Sequence, residues 1–265
     1  MSERAPVRLA GVASGYRRRL VLDGLDLALR RGTITAIVGP NGSGKSTVIR
    51  AMARLLPARR GVVLLDGRDV RELTSRDIAR RVSVLPQAPS GPAGITVREL
   101  VEMGRFPHTG FFGRLGVSGH RAVQEALELT GLADLAARPL DELSGGERQR
   151  AWIALALAQG AQTLLLDEPT TFLDVRHQFE VLDLLLSLRR DRGMTIVVVL
   201  HHLVHAANYA DRVVVMEGGR VVADGAPSDV LTVDLFTRVF GVAARLFIDP
   251  ESGRSLCLPV GRSMT

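Results

Sequence analysis

The chain has 265 residues, 46% of them hydrophobic, with a formal net charge of +6 and one cysteine, Cys257. That length accommodates one large domain or one domain with an insertion, and a lone cysteine excludes an internal disulfide framework. No apolar run approaches the roughly 18 residues of a membrane span, and the opening Met-Ser-Glu-Arg has no apolar signal core, so a soluble, cytoplasmic protein is expected.

The positive charge is scattered in short groups such as Arg17-Arg18-Arg19 and Arg189-Arg190. This pattern fits a solvated surface and not a nucleic-acid stripe, and no nucleic-acid partner is expected. Every basic side chain is arginine except Lys45. A lone lysine marks a site that needs a compact ammonium and not a planar fork.

Along the chain, Tyr16 follows the turn signal Ser14-Gly15. The alternation Leu25-Asp-Leu-Ala-Leu29 predicts a half-buried strand, whereas the continuous run from Thr33 to Val38 predicts an interior one. The segment Gly39-Pro40-Asn41-Gly42-Ser43-Gly44-Lys45-Ser46-Thr47 follows at once. Val48, Ile49, Met52, Leu55 and Leu56 then recur at helical spacing, so the G-x-x-x-x-G-K-[ST] pattern lies between a strand and a helix. Its glycines let backbone N–H groups face a phosphate, the helix N-terminus adds its dipole, and Lys45 reaches the terminal phosphates. Ser46 is the candidate Mg²⁺ ligand.

Beyond Gln87, the breakers Pro89, Gly91, Pro92 and Gly94 interrupt the pattern. A capping box at Thr96-Val-Arg-Glu99 and the helical spacing of Ala122, Val123, Ala126, Leu127 and Leu129 then predict a helical stretch that ends at Pro139. Ser144 and Glu147 form a second capping box, and Gly145 and Gly146 expose N–H groups at the start of its helix. The apolar strand that begins at Thr163 ends in Asp167, and Glu168 follows at once. A carboxylate at the C-terminal edge of a parallel sheet suits Mg²⁺, which assigns Asp167. Adjacent strand residues point to opposite sides, so Glu168 is left to orient and deprotonate the attacking water. A strand from Thr195 to Leu200 precedes His201. With His202 and His205 it makes H-H-x-x-H, which lacks the Glu of a zinc-protease helix, so a metal centre is not expected there. Val213–Met216, a turn at Glu217-Gly-Gly219, and Arg220–Ala223 predict a hairpin.

Leu143-Ser-Gly-Gly-Glu-Arg-Gln-Arg150 resembles the signature of ABC-type ATPases, and the other motifs stand in that family's order. The resemblance implies an α/β fold: a P-loop NTPase (RecA-like) core with an antiparallel β subdomain and an inserted α-helical subdomain. On that pattern the core with its antiparallel portion would span 1–87 and 144–242, the helical insertion 88–143, and a C-terminal extension 243–265. Tyr16 would stack on adenine, Gln87 would sense Mg²⁺ and water, and Leu173-Asp174 would cross a dimer interface. His201 would be the switch histidine that contacts the γ-phosphate and the catalytic glutamate. ATP and Mg²⁺ are the implied ligands. The implied partners are a second copy of the chain, two transmembrane permease subunits and an extracytoplasmic substrate-binding protein, with the chain peripheral on the cytoplasmic side of the membrane. The segment after Gln87 would be a hinge towards the permease.

Gly104–Gly113, Gln149–Ala154, Pro169–Asp174 and Val239–Val242 further resemble the ATPases of iron-chelate importers, those for ferric siderophores first, with haem and cobalamin importers in the same class. Glu147 stands where glutamine is commonest, and His202 where an acidic residue is usual. A non-transport ABC ATPase would typically carry two cassettes or a long coiled coil, and neither is present.

Overall fold

The computed structural model describes residues 5–17, 19–109, 114–248, 250 and 255–262. Two strands open the chain, β1 (Val7–Tyr16) and β2 (Arg19–Ala28), followed by β3 (Ile34–Val38) and helix α1 (Lys45–Met52). Then come β4 (Ala58–Leu65), the short β5 (Arg68–Asp69), α2 (Ser75–Ala79) and β6 (Val82–Leu85). Helices α3 (Val97–Met103), α4 (Phe106–Thr109) and α5 (Val117–Leu129) lead to α6 (Gly145–Ala158). Next are β7 (Thr163–Leu166), α7 (Val175–Arg192), β8 (Thr195–Val199), α8 (Leu203–Tyr209), β9 (Arg212–Glu217) and β10 (Arg220–Gly225). The chain closes with α9 (Pro227–Val230), α10 (Val233–Phe240) and the ribbon β11 (Val242–Ile248) and β12 (Ser255–Arg262).

The central sheet has the order β10-β9-β3-β8-β7-β6, parallel except for the β9–β10 hairpin. Its interior strands β3, β7 and β8 are buried at every residue, as a parallel sheet covered on both faces requires. Successive side chains alternate between two cores. Ala36, Val38, Leu164, Leu166, Ile196 and Val198 face α3, α5, α6, α7 and α10. Ile37, Leu165, Val197, Val199, Val214 and Met216 face α1 and the second sheet. That second sheet is antiparallel, ordered β2-β1-β4-β5, and buries Leu25, Leu27 and Leu29 as the alternation predicts.

Both predicted capping boxes are formed, at Thr96 with Glu99 and at Ser144 with Glu147. Helix α6 packs on α3 and α5 as well as on α7 and β6. Two expectations change in detail. The hairpin turn is only Gly218-Gly219, both with positive φ, because Glu217 still pairs with Arg220 in the ladder. Strand β7 ends at Leu166, so Asp167 and Glu168 lie beyond it and strand alternation does not set their directions. Among the described residues no helix is long and apolar enough to cross a membrane. Of the Gly104–Gly113 stretch, residues 110–113 lie outside the described residues.

Candidate nucleotide site

Strand β3 delivers the chain directly into the glycine loop. At Gly39, φ is 150° and an added Cβ would lie 2.1 Å from the Met216 carbonyl oxygen, so only glycine lets the loop turn while resting on β9. Gly44 caps α1 with φ 102° and contributes no side-chain bond, which leaves first-turn N–H groups open to an external acceptor. Ser43 Oγ is buried and has no hydrogen-bond partner. Lys45, 5% exposed, donates from Nζ to the Gly39 and Pro40 carbonyl oxygens at 2.9 and 3.0 Å.

Ser46 Oγ donates to Asp167 Oδ1 at 2.8 Å, which brings together two of the three residues, Ser46, Asp167 and Gln87, predicted for a hard cation. Burial pushes the Asp167 carboxyl above its usual range, and the neighbouring Glu168 charge adds to this against the Ser46 hydrogen bond. Burial likewise lowers the Lys45 ammonium, opposed by the attraction of Glu168 and Asp167.

Glu168 sits at φ 57°, a left-handed conformation that a non-glycine residue holds only when its surroundings fix it. The turn aims its carboxylate at three partners. Gln87 Nε2 donates to Oε2 at 2.6 Å, Thr171 Oγ1 donates to the same oxygen at 3.3 Å, and His201 Nε2 lies 2.6 Å from Oε1. Gln87 therefore bonds Glu168 and not the Ser46–Asp167 pair.

A cavity of about 700 Å³ lies over these groups, lined by Tyr16, Arg19, Val21, Asn41, Gly42, Gly44, Lys45, Ser46, Thr47, Gln87, Glu168 and His201. Tyr16 is held at its edge by Arg50, which donates to the phenol oxygen at 2.9 Å and stacks 5.9 Å from the ring centroid. A cavity of this size, with a phosphate cradle at one end and an aromatic ring at the other, fits a nucleoside triphosphate.

The signature residues lie apart from that cavity. Ser144 Oγ accepts from Glu147 N at 3.2 Å, and Glu147 Oε2 accepts from Ser144 N at 2.9 Å. Hydrogen bonds from the Ser144 backbone N–H and hydroxyl to the Glu147 carboxylate hold it below its usual range and occupy the charge that departs from the family pattern. Gly146 is fixed by contact: a Cβ there would lie 2.1 Å from the His177 ring. Asp174 Oδ1 caps α7 by accepting from His177 N at 2.9 Å and lies 2.8 Å from His177 Nδ1.

Sequence reasoning missed Arg50, Thr171 and His177. Arg50 and His177 act through contacts between elements, for which a linear motif carries no signal. Thr171, three residues after Glu168 in a tight turn, was within reach of local reasoning. His201, His202 and His205 form no metal-binding group among the described residues.

The family model described as ABC transporter matches residues 22–171, more than half the chain, from within β2 to past Glu168. The chain belongs to the ABC transporter ATP-binding family. This ABC ATPase is 44% identical to the iron(3+)-hydroxamate import ATP-binding protein FhuC of Bacillus subtilis (strain 168), over 92% of this chain and 91% of that one. It is 43% identical to the ferric enterobactin transport ATP-binding protein FepC of Escherichia coli (strain K12), over 94% and 92%. Among solved structures, it aligns with a TM-score of 0.84 and 26% identity to a chain of an inward-facing ABC transporter assigned to the metal-chelate type, covering 97% of this chain and 98% of that one. As a member of this family the ABC ATPase binds and hydrolyses ATP.

Proposed function

We propose that this ABC ATPase works as a pair of identical subunits, peripheral on the cytoplasmic side of the membrane, to drive uptake of a ferric siderophore through a two-subunit permease fed by an extracytoplasmic binding protein. The observation that carries the chemical half is the Glu168 carboxylate, bracketed by Gln87 and His201 beside the Ser46–Asp167 pair. In that position Glu168 accepts the proton of a water aligned with the γ-phosphate, and His201, donating from Nε2, holds the carboxylate in place. Lys45 and the loop N–H groups stabilise charge on the phosphate oxygens. The Ser46 and Asp167 oxygens would hold Mg²⁺, which supplies charge neutralisation at the phosphates.

The pairing is supported by where the signature lies. Ser144, Gly145 and Glu147 sit at the start of α6 and do not line the phosphate-loop cavity. A second copy, turned by a two-fold axis, brings its own Ser144 helix to that cavity and receives the same in return. Residues 88–143 serve as the helical insertion that faces the permease, with 1–87 and 144–242 as core and antiparallel portion. Asp174 and Tyr16 complete the nucleotide environment. The cargo rests on likeness over more than nine-tenths of the chain to ATP-binding proteins named for ferric hydroxamate and ferric enterobactin.

Uptake of radiolabelled iron, offered as separate chelates to cells carrying wild-type or Glu168→Gln protein, tests both halves. Loss of uptake of a ferric siderophore only in the variant is expected. Unchanged iron uptake alongside lost ATP hydrolysis would remove the cargo and keep the ATPase, with haem and cobalamin uptake measured next.

A further inference from the structure

A second cavity of about 500 Å³ shares His201 with the nucleotide cavity. Its walls come from the first turns of α7 (Val175, Phe179), from α10 (Phe236, Phe240), and from the C-terminal ribbon (Val242, Pro259). One wall differs from the rest: the run His201 to His205 brings three imidazoles, with Leu203 and Val204 between them. That wall lies beyond residues 22–171, the span the family model matches.

His205 is 8% exposed, and its Nδ1 is buried with no hydrogen-bond partner. Its ring meets Phe179 edge-on at 5.4 Å and His202 edge-on at 5.1 Å. A neutral imidazole always keeps one N–H donor. Because Nδ1 is closed off from any occupant, Nε2 is the ring nitrogen left to meet a ligand in the cavity. The volume is right for a small molecule, and aromatic walls beside imidazole donors suit an apolar ring that bears an acceptor group.

We propose that this cavity is a regulatory site for a small aromatic carboxylate, whose ring packs among Phe179, Phe240 and Val242 and whose carboxylate accepts from the imidazole wall. His201 belongs to both cavities, and its Nε2 lies 2.6 Å from Glu168 Oε1. An occupant therefore restrains the histidine that positions the catalytic carboxylate and slows turnover. This regulatory effect rests on the role given to His201 above, whereas binding at the site does not.

Binding is read without ATP, using the full chain and the fluorescent aromatic anion 1-anilinonaphthalene-8-sulfonate, with 2-naphthoate and its uncharged methyl ester as competitors. We expect one saturable site per chain, displaced at least tenfold more effectively by 2-naphthoate than by the ester. His205→Phe keeps the ring contact and removes the donor; Pro259→Trp narrows the cavity from an exposed position on the ribbon. Each should weaken binding of the dye about tenfold. Because Pro259 lies outside the catalytic machinery, Pro259→Trp should also hydrolyse ATP normally yet lose the severalfold slowing that 2-naphthoate causes in the wild type. Absence of a saturable site, competitive displacement of the dye by ADP, equal displacement by acid and ester, or unchanged affinity in both variants would each overturn the proposal. A chain that binds the dye as expected but hydrolyses no ATP would sink the catalytic reading alone.

Discussion

Lys45 and Asp167 carry opposite charges, and burial penalises the charged form of each. The Asp167 carboxyl, raised by burial, takes up protons more readily folded than unfolded, so its contribution to stability is greatest at low pH. That contribution falls as pH rises from the ordinary carboxylate range through the raised value. Asp167→Asn keeps the shape and drops the charge. In the absence of nucleotide and metal it should raise Tm at neutral pH and flatten the acid side of the stability profile, while abolishing metal-dependent ATP hydrolysis. Thermal melts across pH, paired with a phosphate-release assay, check both outcomes, and a lower Tm would contradict the burial argument. Lys45→Ala should abolish ATP turnover, since no other cation lies within the glycine loop; titration with a fluorescent ATP analogue measures the loss of binding. Glu168 is the residue least legible from sequence. Its pairing with Asp167 suggests two sides of a strand, but β7 stops at Leu166, and a left-handed turn does the aiming instead.

At the scale of elements, α6 is held at its start by a side-chain cap and against α7 by a missing one. The Ser144–Glu147 box satisfies first-turn N–H groups, so Ser144→Ala should cost about 1 kcal/mol, measured by urea unfolding, while Ser144→Thr retains the cap. Gly146→Ala acts differently. A methyl group 2.1 Å from the His177 ring must push α6 away from α7, which should lower stability by about 2 kcal/mol or more and reduce ATP turnover. The double variant Gly146→Ala with His177→Ala should recover much of that stability; if it does not, the clash is not the cause. The caps at Thr96 and Ser144 were legible because a capping box is a four-residue signal. Strand β1 was not. Its pairing with β2 and β4 shifts register between Leu9 and Val12 and again near Ser14, and such bulges break the alternation that announces a strand. The ribbon of β11 and β12 escaped for another reason: Leu246, Phe247, Ile248 and Val260 are exposed, so apolar residues there do not mark a buried face.

Across the whole molecule, the parallel sheet separates two cores that share no side chain, since each strand sends alternate residues to opposite faces. The phosphate loop, Asp167, Glu168 and His201 all follow the C-terminal ends of its strands, so one edge of the sheet assembles the site. Motif order along the chain made this edge legible, because each motif directly follows an apolar strand. The contacts made across it, Gln87 with Glu168 and Arg50 with Tyr16, were not, since they join residues far apart in sequence. If the signature of one copy completes the cavity of another, Glu168→Gln with ATP should double the mass measured by light scattering, and ADP should leave it monomeric. A monomer under both conditions would remove the two-fold arrangement.

The ammonium that lies at the base of this cradle is also the only ε-amine in the chain. An amine-directed acylating reagent therefore has one side chain to find, and the surface, clad in guanidinium, offers it none. The extent of side-chain acylation, read as a mass increment, becomes a direct gauge of nucleotide occupancy, with no engineered label needed.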